Sequence, residues 1–250
     1  MTWRADRAAQ GVLTPLPLAM RFLLLLAALL ASVAVSAQPS VTVSGFAAVP
    51  QGSFADALGT AGGGLAVGAI YSVPGSPVAV GLEGTAAIYG YERRNVPLSL
   101  TIPDVRVGVT TSNNFAQGLA VLRLQVPRGA VRPYLDGVAG VTYLFTETSV
   151  GDDDYYSDYG EPLSSVNYDD VAFTTGAGVG VQVRLGSFDT DEGRPGTVAL
   201  DARVRYLSGT EATFLGRGDI ERYRDGTIAL TPRRSRTDFL APPLGVTFSF

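Results

Sequence analysis

Carboxylates and arginines are the charged side chains this sequence offers for chemistry. Its 250 residues contain no histidine and no cysteine, and every basic residue is an arginine. An imidazole base, a thiolate nucleophile and a thiolate metal site are therefore excluded. No serine sits in a Gly-x-Ser-x-Gly elbow, the turn that exposes a nucleophilic hydroxyl in α/β hydrolases. The densest acidic stretch is Asp152-Asp153-Asp154-Tyr155-Tyr156-Ser157-Asp158. Clustered carboxylates suit calcium, but Tyr156 stands where an EF-hand needs its third oxygen ligand. The stretch reads as a solvated loop, with Asp152, Asp153, Asp154 and Asp158 as the residues a cation would use. Gly176-Ala177-Gly178-Val179-Gly180 lacks the spacing and the following helix of a phosphate-binding turn; it reads as small residues on a crowded face. No enzyme and no cofactor is expected. The net charge of −4 gives no reason to expect nucleic acid.

A second set of charged residues is defined by register. Glu83, Arg123, Asp136, Arg184, Asp201, Arg203 and Arg205 each lie between apolar residues or glycine in segments of period two. Eight such segments are expected as strands, near 40–49, 64–73, 78–90, 114–126, 132–146, 170–185, 197–208 and 238–250. Each is long enough to cross a bilayer, which takes about 9–11 residues. On the sixth, Val171, Phe173, Val179, Val181 and Val183 share one face, and Thr174, Gly178, Gln182 and Arg184 the other. On the seventh, Val198, Leu200 and Val204 oppose Asp201, Arg203 and Arg205. Pro74 to Pro77 and Pro127 to Val131 make short turns, and Gly186 to Gly196 makes a longer, strongly polar connection at the same end. The connections at 50–63, 91–113, 147–169 and 209–237 are longer. Short turns at one end and long loops at the other suit a membrane barrel. Asp104 to Asn113 and Thr227 to Leu230 also look strand-like; they extend outer hairpins or raise the count to ten. Pro242-Pro243 predicts a bend or late start in the last strand. Tyr71, Tyr143, Phe145, Tyr206, Phe239 and Phe248 are expected as interfacial girdles.

Two readings of the charged face compete. In a water-soluble barrel the charges face water. In a membrane barrel they face one another across a lumen just wide enough for side chains to fill, and pair into a plug.

The termini favour the second reading. Arg21, the apolar run Phe22 to Val35 and the small residues Val35-Ser36-Ala37 follow the order of a secretory signal peptide, cleaved after Ala37. Met20 heads that segment, and residues 1–19 read as an upstream extension from a mis-set start. The expected division is 1–19 extension, 20–37 signal peptide and 38–250 barrel. The last strand, Leu244-Gly245-Val246-Thr247-Phe248-Ser249-Phe250, resembles the C-terminal signal strand of bacterial outer-membrane β-barrels, with Val246, Phe248 and Phe250 on its apolar face. With the signal peptide and the eight alternating segments, the chain is similar to the small outer-membrane barrel family typified by the membrane domain of OmpA and by OmpX. The resemblance spans residues 38–250 and is architectural. It implies an all-β, closed, antiparallel, up-and-down transmembrane barrel. It also implies a monomer in the bacterial outer membrane, contact with lipid and lipopolysaccharide, and assembly by the outer-membrane barrel machinery. The role it implies is structural or surface-interacting, through long outer loops. A narrow channel for small or hydrophobic molecules and a secreted, soluble ligand-binding barrel are the alternatives. Arg217, Arg222, Arg224, Arg233, Arg234 and Arg236 flank the last outer connection. They are either a lipopolysaccharide-phosphate surface or a solvated loop balanced by Asp219, Glu221, Asp225 and Asp238.

Overall fold

A computed structural model describes residues 38–97, 106–150, 163–189, 195–216, 219–222 and 228–250. The expected extension and signal peptide (1–37) and the acidic run carrying Asp152, Asp153, Asp154 and Asp158 lie outside the described residues.

Alternating apolar and polar side chains put the chain into long strands, and the short turns make successive strands antiparallel. They are β1 (Gln38–Pro50), β2 (Gly62–Ser72), β3 (Val78–Pro97), β4 (Arg106–Gln125), β5 (Val131–Val150), β6 (Leu163–Asp189) and β7 (Pro195–Gly209). An eighth stave is broken in two, β12 (Phe239–Ala241) and β13 (Leu244–Ser249). Between β7 and β12 lie β8 (Glu211–Phe214), β9 (Ile220–Arg222), β10 (Ile228–Leu230) and β11 (Arg233–Arg236), which form two small hairpins, β8 with β11 and β9 with β10. Each ring strand pairs with its sequence neighbour. β1 closes the ring by pairing with β2 on one side and with β12 and β13 on the other. The closed ring therefore has eight staves, not ten. Pro242 and Pro243 interrupt the last of them, as a residue without an amide hydrogen should. The carbonyl of Pro243 still accepts from the Arg203 amide at 3.0 Å.

The strands run further than the alternation alone suggested. Much of the expected 91–113 loop is ladder, paired from Tyr91↔Ser112 to Pro97↔Arg106. The same holds for Glu147 to Val150 against Leu163 to Val166. Twenty-residue strands such as β3, β4 and β5 exceed what a membrane core needs, so these hairpins continue beyond it. The expected loop at 50–63 contains a short helix, α1 (Gly52–Leu58). Of the two extra strand-like segments, the first is absorbed into β4 and the second contributes β10, outside the ring.

The barrel is apolar outside and polar inside. Leu65, Leu82, Leu122, Leu135, Val141, Phe173 and Val179 are each more than half exposed, while Arg123, Asp136, Asp201 and Arg205 are at most 3% exposed. A soluble barrel would reverse this, because burying unpaired charge costs far more than exposing an aliphatic side chain. The inversion is that of a transmembrane barrel. Tyr71, Tyr143, Tyr206 and Phe248 stand on the outer face as girdle candidates, but Phe239 is buried. Odd-numbered residues of the last stave, Thr247 among them, face inward, and Phe239 shares that parity.

Candidate functional site

The inward faces build a lumen in two layers. Nearer the short turns is an ionic layer, assembled partly from residues directly opposite on neighbouring strands. Arg123 on β4 is paired with Asp136 on β5, and Gln182 on β6 with Asp201 on β7. Arg123 donates from Nε to Asp136 Oδ1 at 2.7 Å and from Nη2 to Oδ2 at 3.0 Å, the planar fork-to-fork geometry that arginine suits. Its guanidinium also lies 3.6 Å from the ring centroid of Tyr134. The Tyr134 hydroxyl donates to Asp201 at 2.7 Å, and Gln182 donates to the other oxygen of Asp201 at 2.9 Å.

The remaining bonds cross the lumen. β3 and β7 lie four staves apart in the ring of eight, on opposite walls. From β7, Arg205 donates to Glu83 on β3 at 2.6 Å and to Asp136 at 3.0 Å. Arg203 reaches the second oxygen of Glu83 at 2.8 Å. Three buried guanidinium groups thus meet three buried carboxylates, and this set of six is neutral. Neutrality matters because an uncompensated charge in this enclosure would carry a desolvation cost of several kcal/mol. Pairing is incomplete in one respect: Nε of Arg203 and of Arg205 has no hydrogen-bond partner among the described residues. Both arginines use their Nη atoms to bridge.

Of the seven charged residues expected to share the lumen, six are brought together. Arg184 is not: it is exposed. It stands near the short turn beside Ala130, whose carbonyl accepts its amide. The ladder slips immediately after it, between Arg184 and Gly186. A bulge of this kind disrupts pairing and re-aims side chains, and period-two reasoning does not register one. Three residues outside the expected charged set join the layer, Gln125, Tyr134 and Arg132, which donates to Gln182 at 3.1 Å. Gln125 donates to Gln182 at 2.8 Å. Tyr134 shares strand parity with Asp136, the signal that would have found it. The last glycine of the run is explained by the same ring. A Cβ on Gly180 would sit 2.4 Å from the Tyr134 ring.

Above the ions are small polar contacts, Gln117 to Thr142 at 2.7 Å and Thr142 with Thr174 at 2.6 Å. An aromatic layer follows. Tyr89 stacks on Phe115 at 6.3 Å, Phe115 meets Phe239 at 5.4 Å, and Phe214 of β8 meets Tyr89 edge-on at 6.4 Å. Phe54 of α1 packs edge-on against Phe214 at 5.2 Å. Such pairs favour offset or edge geometries. At the rim, Arg233 grips Asp219 with Nε at 2.8 Å and Nη2 at 2.7 Å, and its Nη1 donates to the Ala57 carbonyl at 2.7 Å. The hydrogen bond to Asp219 holds the Arg233 guanidinium above the ordinary arginine range. The other described rim arginines of β11 are also paired, Arg234 with Glu211 at 3.1 Å and Arg236 with Asp238 at 3.4 Å, but in the open, where such pairs contribute about 0–1 kcal/mol. In the last strand Phe248 and Phe250 are exposed and Val246 is half-buried.

Nothing in this arrangement resembles a nucleophile with its base. It is a network of buried, paired charges beneath an aromatic cap. No family model matches the chain, and no curated protein does. Among solved structures it is similar to Ail, the attachment invasion locus protein of Yersinia pestis, in complex with the heparin analogue sucrose octasulfate. That match has 13% identity, covers 86% of this chain and 97% of that one, and has a TM-score of 0.36. It is similar to Neisserial surface protein A at 12% identity, covering 85% and 95%, with a TM-score of 0.33. It is similar to the N-terminal β-barrel domain of Pseudomonas aeruginosa OprF at 12% identity, covering 86% and 100%, with a TM-score of 0.32. At identities this low the likeness concerns barrel architecture, and no residue or ligand is carried across.

Proposed function

We propose that this chain is an integral protein of the bacterial outer membrane, exported by the segment 20–37. Its sealed barrel is a rigid mount for its outer connections, which meet lipid, lipopolysaccharide or other surfaces. One observation carries the reading: Arg205 is bonded to Glu83 across the lumen at 2.6 Å inside a barrel whose outer wall is aliphatic. The wall suits lipid, and the bridged lumen suits a barrier. A continuous water path for ions would have to run through a layer of buried, mutually paired charges. Val246, Phe248 and Phe250 are the residues we assign to recognition by the barrel assembly machinery, and the protein is a monomer in this reading.

Membrane fractionation with heat-modifiable gel migration tests the location. The protein should pellet with outer membranes and shift on boiling; recovery with the soluble periplasm would refute the reading. In planar bilayers the purified barrel should conduct no more than lipid alone. Excision of residues 98–105 or 151–162 should abolish surface or lipopolysaccharide binding without unfolding the barrel. If binding survives both deletions, those connections are not the contact surface.

A further inference from the structure

The aromatic layer is closed from outside by a segment whose own helical stability is poor. α1 has seven residues, its N-cap Gln51 makes no side-chain cap bond, and it carries no acid in its first turn and no base in its last. Helices this short do not persist unaided. Two things hold this one. Phe54 and Leu58 are buried in the layer beneath, and Arg233 ties the Ala57 carbonyl to buried Asp219. Under Phe54 sits Tyr89, 4% exposed, with no hydrogen-bond partner for its hydroxyl among the described residues. Tyr89 is also the extra residue of a bulge: the ladder passes from Ile88↔Asn114 to Gly90↔Asn113 and skips it. A bulge is a common device for re-aiming a side chain, and a buried tyrosine hydroxyl normally finds an acceptor.

We propose that α1 is a clasped lid over an aromatic chamber that takes a small, planar, apolar molecule bearing one hydrogen-bond acceptor. Phe54 fills the place of that molecule when the lid is shut. Its ring, edge-on to Phe214 and 6.4 Å from Tyr89, gives the size: a single aromatic ring. Tyr89 donates to the acceptor. The floor is blind, because the polar and ionic layers lie below, so the chamber receives from the outer side only. The inference concerns the chamber and is independent of what the outer connections bind.

The chain has no cysteine, so one introduced thiol can report on the chamber. Ala172 belongs to the same hydrophobic cluster as the chamber's rings and is fully buried; Ala172→Cys in the full chain, assayed in outer-membrane preparations, gives that thiol. Its reaction with a membrane-impermeant methanethiosulfonate should be slow. Adding Arg233→Gln should raise the rate by roughly tenfold, the effect of losing a charge-assisted bond that favours the closed state. Adding Arg234→Gln, which removes the same charge from an exposed pair, should not. Phe54→Ala is a second route to the open lid and should match Arg233→Gln. Equal rates in the single-thiol parent and in all three double variants overturn the lid. With the lid opened by Arg233→Gln, acetophenone should slow labelling more than α-methylstyrene, which has the same heavy-atom skeleton, a trigonal carbon in place of the carbonyl and no oxygen acceptor. Adding Tyr89→Phe should erase the difference. Equal protection by the two probes, or a difference that survives Tyr89→Phe, overturns the assigned ligand class.

Discussion

Asp136→Ala should damage this barrel more than its size suggests. Asp136 accepts two bonds from Arg123, at 2.7 and 3.0 Å, and one from Arg205 at 3.0 Å, and Arg203 Nη1 lies 3.9 Å away. Removing it leaves three buried guanidinium groups facing Glu83 and Asp201 alone. Breaking a buried pair from one side costs about 3–5 kcal/mol, because the partner is left charged and dry. At about 1.4 kcal/mol per power of ten, that is roughly a 10²- to 10³-fold or greater loss in the folded-to-unfolded ratio. Asp136→Asn keeps an oxygen acceptor and should cost less. The double change Arg123→Met with Asp136→Leu restores neutrality and should recover most of the loss, since an apolar pair of similar bulk can replace a buried ion pair at little cost. Urea titration of the barrel in phospholipid vesicles, read by gel migration, measures all three. If Asp136→Ala lies within about 1 kcal/mol of the parent, or the double change is worse than the single, the buried-charge account is wrong.

Three further outcomes follow from particular positions. On β5, Val141→Arg should cost about 2–4 kcal/mol if its outward side chain meets the hydrocarbon midplane, whereas Ser149→Arg, further along the same strand, should cost about 0–1; equal costs in vesicle unfolding would contradict the membrane placement. Gly140→Ala should destabilise by about 1–3 kcal/mol, because its Cβ would fall 2.0 Å from the Gly118 carbonyl oxygen, while a Cβ on Gly84 meets nothing within 4 Å and Gly84→Ala should be near neutral. Phe54→Ala should leave the barrel's urea midpoint almost unchanged while accelerating protease cleavage between residues 50 and 62, as local opening requires; a large midpoint shift would make α1 part of the cooperative core.

Much of this was legible because a strand's side-chain period is two. Once Leu122, Leu124 and Leu135 are placed outside, Arg123 and Asp136 have no other face to occupy. The readings that went astray share a cause, structure that is neither periodic nor local. Arg184 has lumen parity but sits next to a bulge at the rim, and bulges leave no period-two trace. Gly52 to Leu58 carries no capping box and is too short for a helical repeat to show; its helix exists because Phe54 and Leu58 find a hydrophobic floor supplied by β3, β4 and β8. The clasp of Asp219 and Arg233 needs two segments fourteen residues apart to fold back over α1, which no local pattern announces. Phe239 lies near a strand end, where girdle aromatics belong, but its parity points inward.

The seam between first and last staves has a consequence for how the protein is made. Thr42 and Thr247 share a hydrogen bond although 205 residues separate them. Contacts between such distant residues are slow to form. Until they form, the growing sheet carries two open edges and a bare aliphatic face, the surfaces most prone to stick to other chains. β1 is translated early and must wait for β13 before either edge is satisfied. In a chain built this way ring closure comes last, because neither edge is satisfied until the first and last strands meet.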